Sequence, residues 1–103
     1  MINVWFDNLC PAPEGFIHTK TVEDTLRVIF TTYNIFQKNC IDILYINNDL
    51  GEDEEEGCRV LEYLEAWKSK DHDFELPNRI CIHSINPVVK KRIQQTIDKL
   101  YRK

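Results

Sequence analysis

IDILYINNDLG, residues 41–51, opens as a strand and closes on a polar cluster. Its first six residues are apolar except Asp42, which is expected to face outward near the open start of the strand. A short, near-continuous apolar run is the pattern of a strand buried on both faces of a parallel sheet. Asn47, Asn48, Asp49 and Gly51 then form either a polar turn or the end of a strand that carries chemistry. The rest of the chain has to decide between these.

Working back towards the N-terminus, INVWF at 2–6 is a second strand, stopped by Asp7 and Asn8. The prolines and glycine of LCPAPEG mark a loop at 9–15. FIHT at 16–19 suits a short edge strand. Thr21 is placed to cap a helix, with Asp24 three residues on approximating a capping box. Val22, Leu26, Ile29, Phe30 and Tyr33 recur at helical spacing, and Asn34 to Asn39 reads as a polar break.

Working forward, Glu52 to Glu56 form an acidic turn, which suits the first turn of a following helix and would repel a polyanion. That helix is expected over about 54–69, burying Val60, Leu61, Leu64 and Trp67. SKDHDFELPN is a loop and RICIH at 79–83 a strand. Asn86 caps a third helix, with Pro87 at its first position, where the missing N–H costs nothing. Val89, Ile93, Ile97, Leu100 and Tyr101 give that helix its buried stripe, and its surface is basic.

Strands alternating with amphipathic helices predict an α/β fold, a small three-layer, doubly wound parallel sheet of four strands in the order 2-1-3-4 with three helices. The first crossover is expected to be the proline loop. The 103 residues fit a single domain, 1–103, and 43% hydrophobic content with five Phe, four Tyr and two Trp supplies a core. A net charge of -4 excludes the overall basic footprint of a duplex DNA binder. Cys10, Cys40, Cys58 and Cys81 lack metal-knuckle spacing and are expected to be reduced, mostly buried thiols. MINVWFDN has no features of a signal peptide, and no apolar stretch approaches membrane-spanning length. The expected location is cytoplasmic.

Ligands of such sheets bind beyond the carboxyl ends of the strands. Three ends are polar here: Asp7-Asn8, Asn47-Asn48-Asp49, and His83-Ser84 with Asn86. Asp7 and Asp49, assisted by the side-chain oxygens of Asn8 and Asn47, suit Mg²⁺ or Mn²⁺. His83 can move a proton near neutral pH, with Asp7 and Asp49 as the other catalytic candidates. Ser84, Asn86 and Asn48 can hold a phosphate, helped by the start of the third helix. Each also has a plain structural reading: turns for the Asp and Asn pairs, a cap for Asn86, a bystander thiol for Cys10, and no partner for His18 or His72.

Three blocks, WFDNLCPAPEGF (5–16), YINNDLGED (45–53) and IHSINPVV (82–89), resemble the cyclic-phosphate-processing receiver-like domains. That family's pattern runs roughly W-L-D-D-x-R-P-x-P-x-G-W, S-L-D-H-D-L-G-E-D and I-H-S-x-N-P-V-G. The resemblance implies a shortened receiver, or flavodoxin-like, fold with an acidic metal-binding pocket that processes cyclic phosphate ends. Asp7, Asp49, His83, Ser84 and Asn86 match the pattern. Asn8 and Asn47 replace Asp, Cys10 replaces Arg and Asn48 replaces His.

Each Asp-to-Asn change removes charge that would hold a cation, while a less negative pocket repels phosphate less. The expected function is therefore binding of a phosphorylated small molecule, nucleotide or RNA end at an eroded site. A metal-dependent phosphoesterase acting on cyclic phosphates is the alternative. A protein-interaction module without a membrane or duplex DNA partner is the third reading.

Overall fold

The computed structural model describes residues 1–47, 56–84 and 86–101. The elements run β1 (Ile2–Phe6), β2 (Phe16–Thr19), α1 (Val22–Phe36), β3 (Ile41–Asn47), α2 (Glu56–Lys70), β4 (Arg79–His83) and α3 (Pro87–Leu100). All strand pairs are parallel and their order is β2-β1-β3-β4, as expected. The β1–β2 crossover is the proline loop. Pro11 and Pro13 cannot donate backbone bonds to a helix, and Gly15 turns the chain into β2 at a φ of 88°, a left-handed value that favours glycine.

Register and burial divide the sheet into two unlike faces. Val4 stands level with Leu44 and Ile80, and Phe6 with Ile46 and Ile82. This face forms the core with Val22 and Ile29 of α1, Val60, Leu61 and Leu64 of α2, and Ile93 and Ile97 of α3. The helices adjoin one another across it. Phe30 of α1 stacks on Trp67 of α2 at 4.6 Å between ring centroids, and Lys99 of α3 reaches Glu65 of α2 at 3.8 Å. Trp5, Ile43, Tyr45 and Cys81 on the opposite face are only half-buried. There Trp5 stacks on Tyr45 at 3.8 Å and meets Phe16 edge-on.

Among the described residues, the helices therefore pack on one face of the sheet, and this placement follows from chirality. A right-handed crossover places its helix on a side fixed by the direction of the step across the sheet. The steps β2 to β3 and β3 to β4 run the same way, so α1 and α2 share a face. Only the reverse step, β1 to β2, would place a helix opposite, and that step is the proline loop.

The helix caps follow the sequence closely. Thr21 Oγ1 accepts the Asp24 N–H at 3.0 Å, and Asn86 Oδ1 accepts those of Val88 and Val89 at 3.0 and 3.3 Å. The expected break at Asn34 does not occur: α1 continues to Phe36 and ends where Gln37 enters the left-handed region at φ 57°. Ile35 and Phe36 are solvent-exposed, so this last turn carries no apolar stripe to announce it. α2 begins at Glu56 in the described residues, and positions 54 and 55 of its expected start lie outside them.

Thr25 of α1 and Thr19 of β2 are both buried and joined at 2.7 Å. Thr25 Oγ1 donates to the Thr21 carbonyl at 2.8 Å, so Thr19 is the donor between the two hydroxyls. Thr25→Val strands the Thr19 proton and is expected to cost about 1–3 kcal/mol. The double valine variant should recover most of that loss. Urea unfolding of the four-member mutant cycle checks this, since strictly additive losses would mean that the hydroxyls are uncoupled.

Tyr101, just beyond α3, donates its hydroxyl to the Pro77 carbonyl. Burial of the hydroxyl end, with a smaller contribution from Cys81, pushes its pKa up to about 12 from the ordinary 10.0. The folded value exceeds the unfolded one, so this contribution to stability is complete below pH 10.0 and fades as pH rises towards about 12. Tyr101→Phe should flatten the stability profile across that window, as read by denaturant midpoints at stepped pH.

No described helix is long and apolar enough to cross a membrane. None of the four cysteines is in a disulfide. Cys10 is exposed and the other three are half-buried, in place of the mostly buried thiols expected.

Candidate functional site at the carboxyl edge of the sheet

Three strand ends finish side by side. Phe6, Ile46 and Ile82 are level, Asn47 pairs with His83 one step further, and Asp7 follows Phe6 directly. The Asp7 N–H extends the ladder to the Thr19 carbonyl at 3.0 Å. Strand alternation turns Asn47 and His83 to the same face as Tyr45 and Cys81, the one with no helix among the described residues.

Burial differs sharply among the candidates. Asp7 is 2% exposed and Asn47 5%, although both are polar. Ser84 is also buried, whereas Asn8, His83 and Asn86 are exposed. Asn48 and Asp49 lie outside the described residues, as does most of the acidic run.

Asp7 has a definite local task. Its Oδ1 accepts the N–H groups of Leu9 at 2.8 Å and Cys10 at 3.1 Å, which fixes the turn into the proline loop. Its Oδ2 has no hydrogen-bond partner among the described residues, leaving one oxygen of a buried carboxylate for a cation or a donor. Cys10 enters this site through its backbone, beside an exposed thiol.

His18, for which the sequence suggested no partner, bonds to Asp7. Its Nε2 lies 2.6 Å from the Asp7 carbonyl oxygen. A carbonyl only accepts, so Nε2 carries the proton. The signal for this contact is the β1–β2 register, which levels Trp5 with His18 and Phe6 with Thr19 and has no local sequence motif. His72 takes part only through its carbonyl, which accepts from Lys68 Nζ at 2.8 Å.

At the end of β4, Ser84 Oγ accepts the Asn86 N–H at 3.3 Å. Asn86 Oδ1 occupies two of the N–H groups at the start of α3. An anion arriving there competes with the helix's own cap. Among the described residues, the Asn86 amide nitrogen has no hydrogen-bond acceptor.

Among the described residues, Asp7 is the only carboxylate of this edge, and no group of three or more His, Cys, Asp or Glu is arranged to hold a metal ion. Two surface grooves lie elsewhere. One of about 560 Å³ runs between α2 and α3 past Cys58, Arg59 and Arg92, and one of about 590 Å³ runs between α1 and α2 past Leu26, Phe30 and Tyr63. Both lie on the outer surface of the helical layer, and neither is lined by the buried polar residues of the strand ends.

The model of the cyclic-phosphate processing receiver domain matches residues 2–99, which takes in all four strands and nearly all of α3. The chain belongs to that family. No curated protein and no solved structure matches it. In this cyclic-phosphate processing receiver domain, Asn8 and Asn47 bring amides and Cys10 a thiol to the described strand ends.

Proposed function

We propose that this domain binds a phosphate-bearing ligand, a nucleotide or cyclic phosphate, at the carboxyl edge of its sheet, with little or no turnover. The observation that carries the reading is the pair Asp7 and Asn47, two polar side chains almost wholly buried next to each other at adjacent strand ends. Burying polar groups is costly, so a buried polar pair at the ligand edge of a parallel sheet favours a functional purpose. Membership of a cyclic-phosphate processing family supplies the ligand class.

In this reading Asn47, Asn48 and the Asn86 amide grip phosphate oxygens with neutral groups, and Ser84 holds the Asn86 backbone in place. His83, exposed at the rim, meets the ligand from solvent. Calorimetric titration with cyclic nucleotides, cyclic dinucleotides and phosphorylated RNA ends should give saturable heat. Flat traces across the panel would sink the proposal.

The unpartnered Oδ2 of Asp7 favours one second reading, a metal-dependent phosphoesterase. Asp7 and Asp49 would hold Mg²⁺ or Mn²⁺, assisted by Asn8 and Asn47, and the ion would supply Lewis acidity towards the phosphoryl oxygen. His83 would transfer the proton. The described donors fit such an ion only sparsely, with one carboxylate and neutral oxygens. Hydrolysis of 2′,3′-cyclic mononucleotides with either metal tests it, and equal inertness of wild type and Asp49→Ala would end it.

A further inference from the structure

We infer that His18 is a positioning residue for the site: its imidazole fixes the Asp7 peptide and so aims the Asp7 carboxylate. The inference rests on the ligand-binding reading above for its purpose, but its geometry is independent of any ligand.

Asp7 is the first residue beyond β1, where ladder bonds normally end and the chain is free to turn. Here the short edge strand β2 holds it at two points. The Thr19 carbonyl accepts the Asp7 N–H at 3.0 Å, and His18 Nε2 donates to the Asp7 carbonyl at 2.6 Å. The second bond replaces, with a side chain, the ladder partner that a longer β2 would have provided. It orients the peptide plane between Asp7 and Asn8.

The carboxylate depends on that plane. Asp7 Oδ1 reaches forward across that peptide to the Leu9 and Cys10 N–H groups, and both of those residues follow the peptide that His18 holds. Rotation of this peptide would move both N–H groups away from Oδ1 and release the carboxylate from its fixed direction. Only a side chain with an N–H at the reach of Nε2 can do this from β2. Glutamine has such a group and alanine does not.

The test compares wild type, His18→Ala and His18→Gln by two measurements. Amide exchange followed by NMR reads the Leu9 and Cys10 N–H groups, with the Asp24 N–H at the cap of α1 as an unaffected control. Loss of one hydrogen bond should speed exchange at Leu9 and Cys10 about fivefold in His18→Ala, with restoration in His18→Gln. Calorimetry should show Mn²⁺ affinity lost in His18→Ala, where the carboxylate is no longer aimed. Affinity for 2′,3′-cyclic mononucleotides should weaken there too, because the released carboxylate, still charged, is free to swing towards the phosphate. Both should be regained in His18→Gln.

Unchanged exchange at Leu9 and Cys10 in His18→Ala overturns the inference outright. Altered exchange with undiminished ligand affinity overturns the positioning purpose. Altered exchange in a protein whose wild type binds none of the probes removes the proposed function instead and leaves the hold on Asp7 standing.

Discussion

Phe74→Ala is expected to remove about 3–5 kcal/mol of stability, out of the roughly 5–15 kcal/mol available to a domain of this kind. Phe74 lies in the connection between α2 and β4, outside every helix and strand, yet it is completely buried. Trp67, Tyr33 and Phe30 surround it at centroid distances of 5.6, 4.8 and 6.1 Å. Its carbonyl accepts from Lys68 Nζ at 2.7 Å, which holds the loop against the end of α2. Truncation leaves a cavity where α1, α2 and the loop meet, and three aromatic neighbours cannot collapse into it without leaving their rotamers. Urea unfolding should show a much lower midpoint with an unchanged slope. An effect below about 1 kcal/mol would mean that the aromatic cluster is not part of the cooperative core.

Asp7→Asn separates the two ways the site can hold a phosphate. The amide keeps an acceptor for the Leu9 and Cys10 N–H groups, so the turn and the thermal midpoint should survive. The charge is lost. A single charge at contact distance is worth about 4 kcal/mol in an effective dielectric of about 20, and bound water offsets part of this. Mn²⁺ affinity should therefore fall at least about tenfold. Direct, metal-free binding of a cyclic nucleotide should hold steady or strengthen, because the substitution removes a negative charge beside the phosphate. Calorimetry with and without chelator reads both directions at once. Metal-free binding that collapses in Asp7→Asn would place the carboxylate itself on the ligand, as an acceptor for a sugar or base donor.

Much of this fold is legible in the sequence because its signals are local. β1, β2 and β4 match their apolar runs residue for residue, bounded by Asp7, the proline loop and the residues after His83. Thr21 and the Asn86-Pro87 pair mark helix starts through chemistry that acts over three residues. What escapes is non-local or lacks a period. Phe74 is one apolar residue in a polar loop, and its burial depends on two helices meeting over it. Asn34 looks like a break, but the next turn of helix is held by hydrogen bonds with its apolar side chains in water. The half-burial of the second sheet face also escapes, because Trp5, Tyr45 and Cys81 count as apolar in any strand pattern, although aromatic rings packed on one another tolerate partial exposure.

At the site, the level ends of the strands follow from parallel pairing and were legible from element order. The near-complete burial of Asp7 and Asn47 and the grip of His18 on the Asp7 carbonyl were not. They depend on how far β2 extends and on what lies over the edge.

Because the described helices occupy one side of the sheet, the two tryptophans sit in separate compartments of the molecule. Trp67 is wedged among the rings of the helical side, and Trp5 lies half-buried on the other sheet face, two residues before Asp7. Their emission is thus an optical readout of two events. With Trp67 replaced by phenylalanine, the remaining indole becomes a built-in probe beside the strand ends, and no external dye is needed to follow occupancy there.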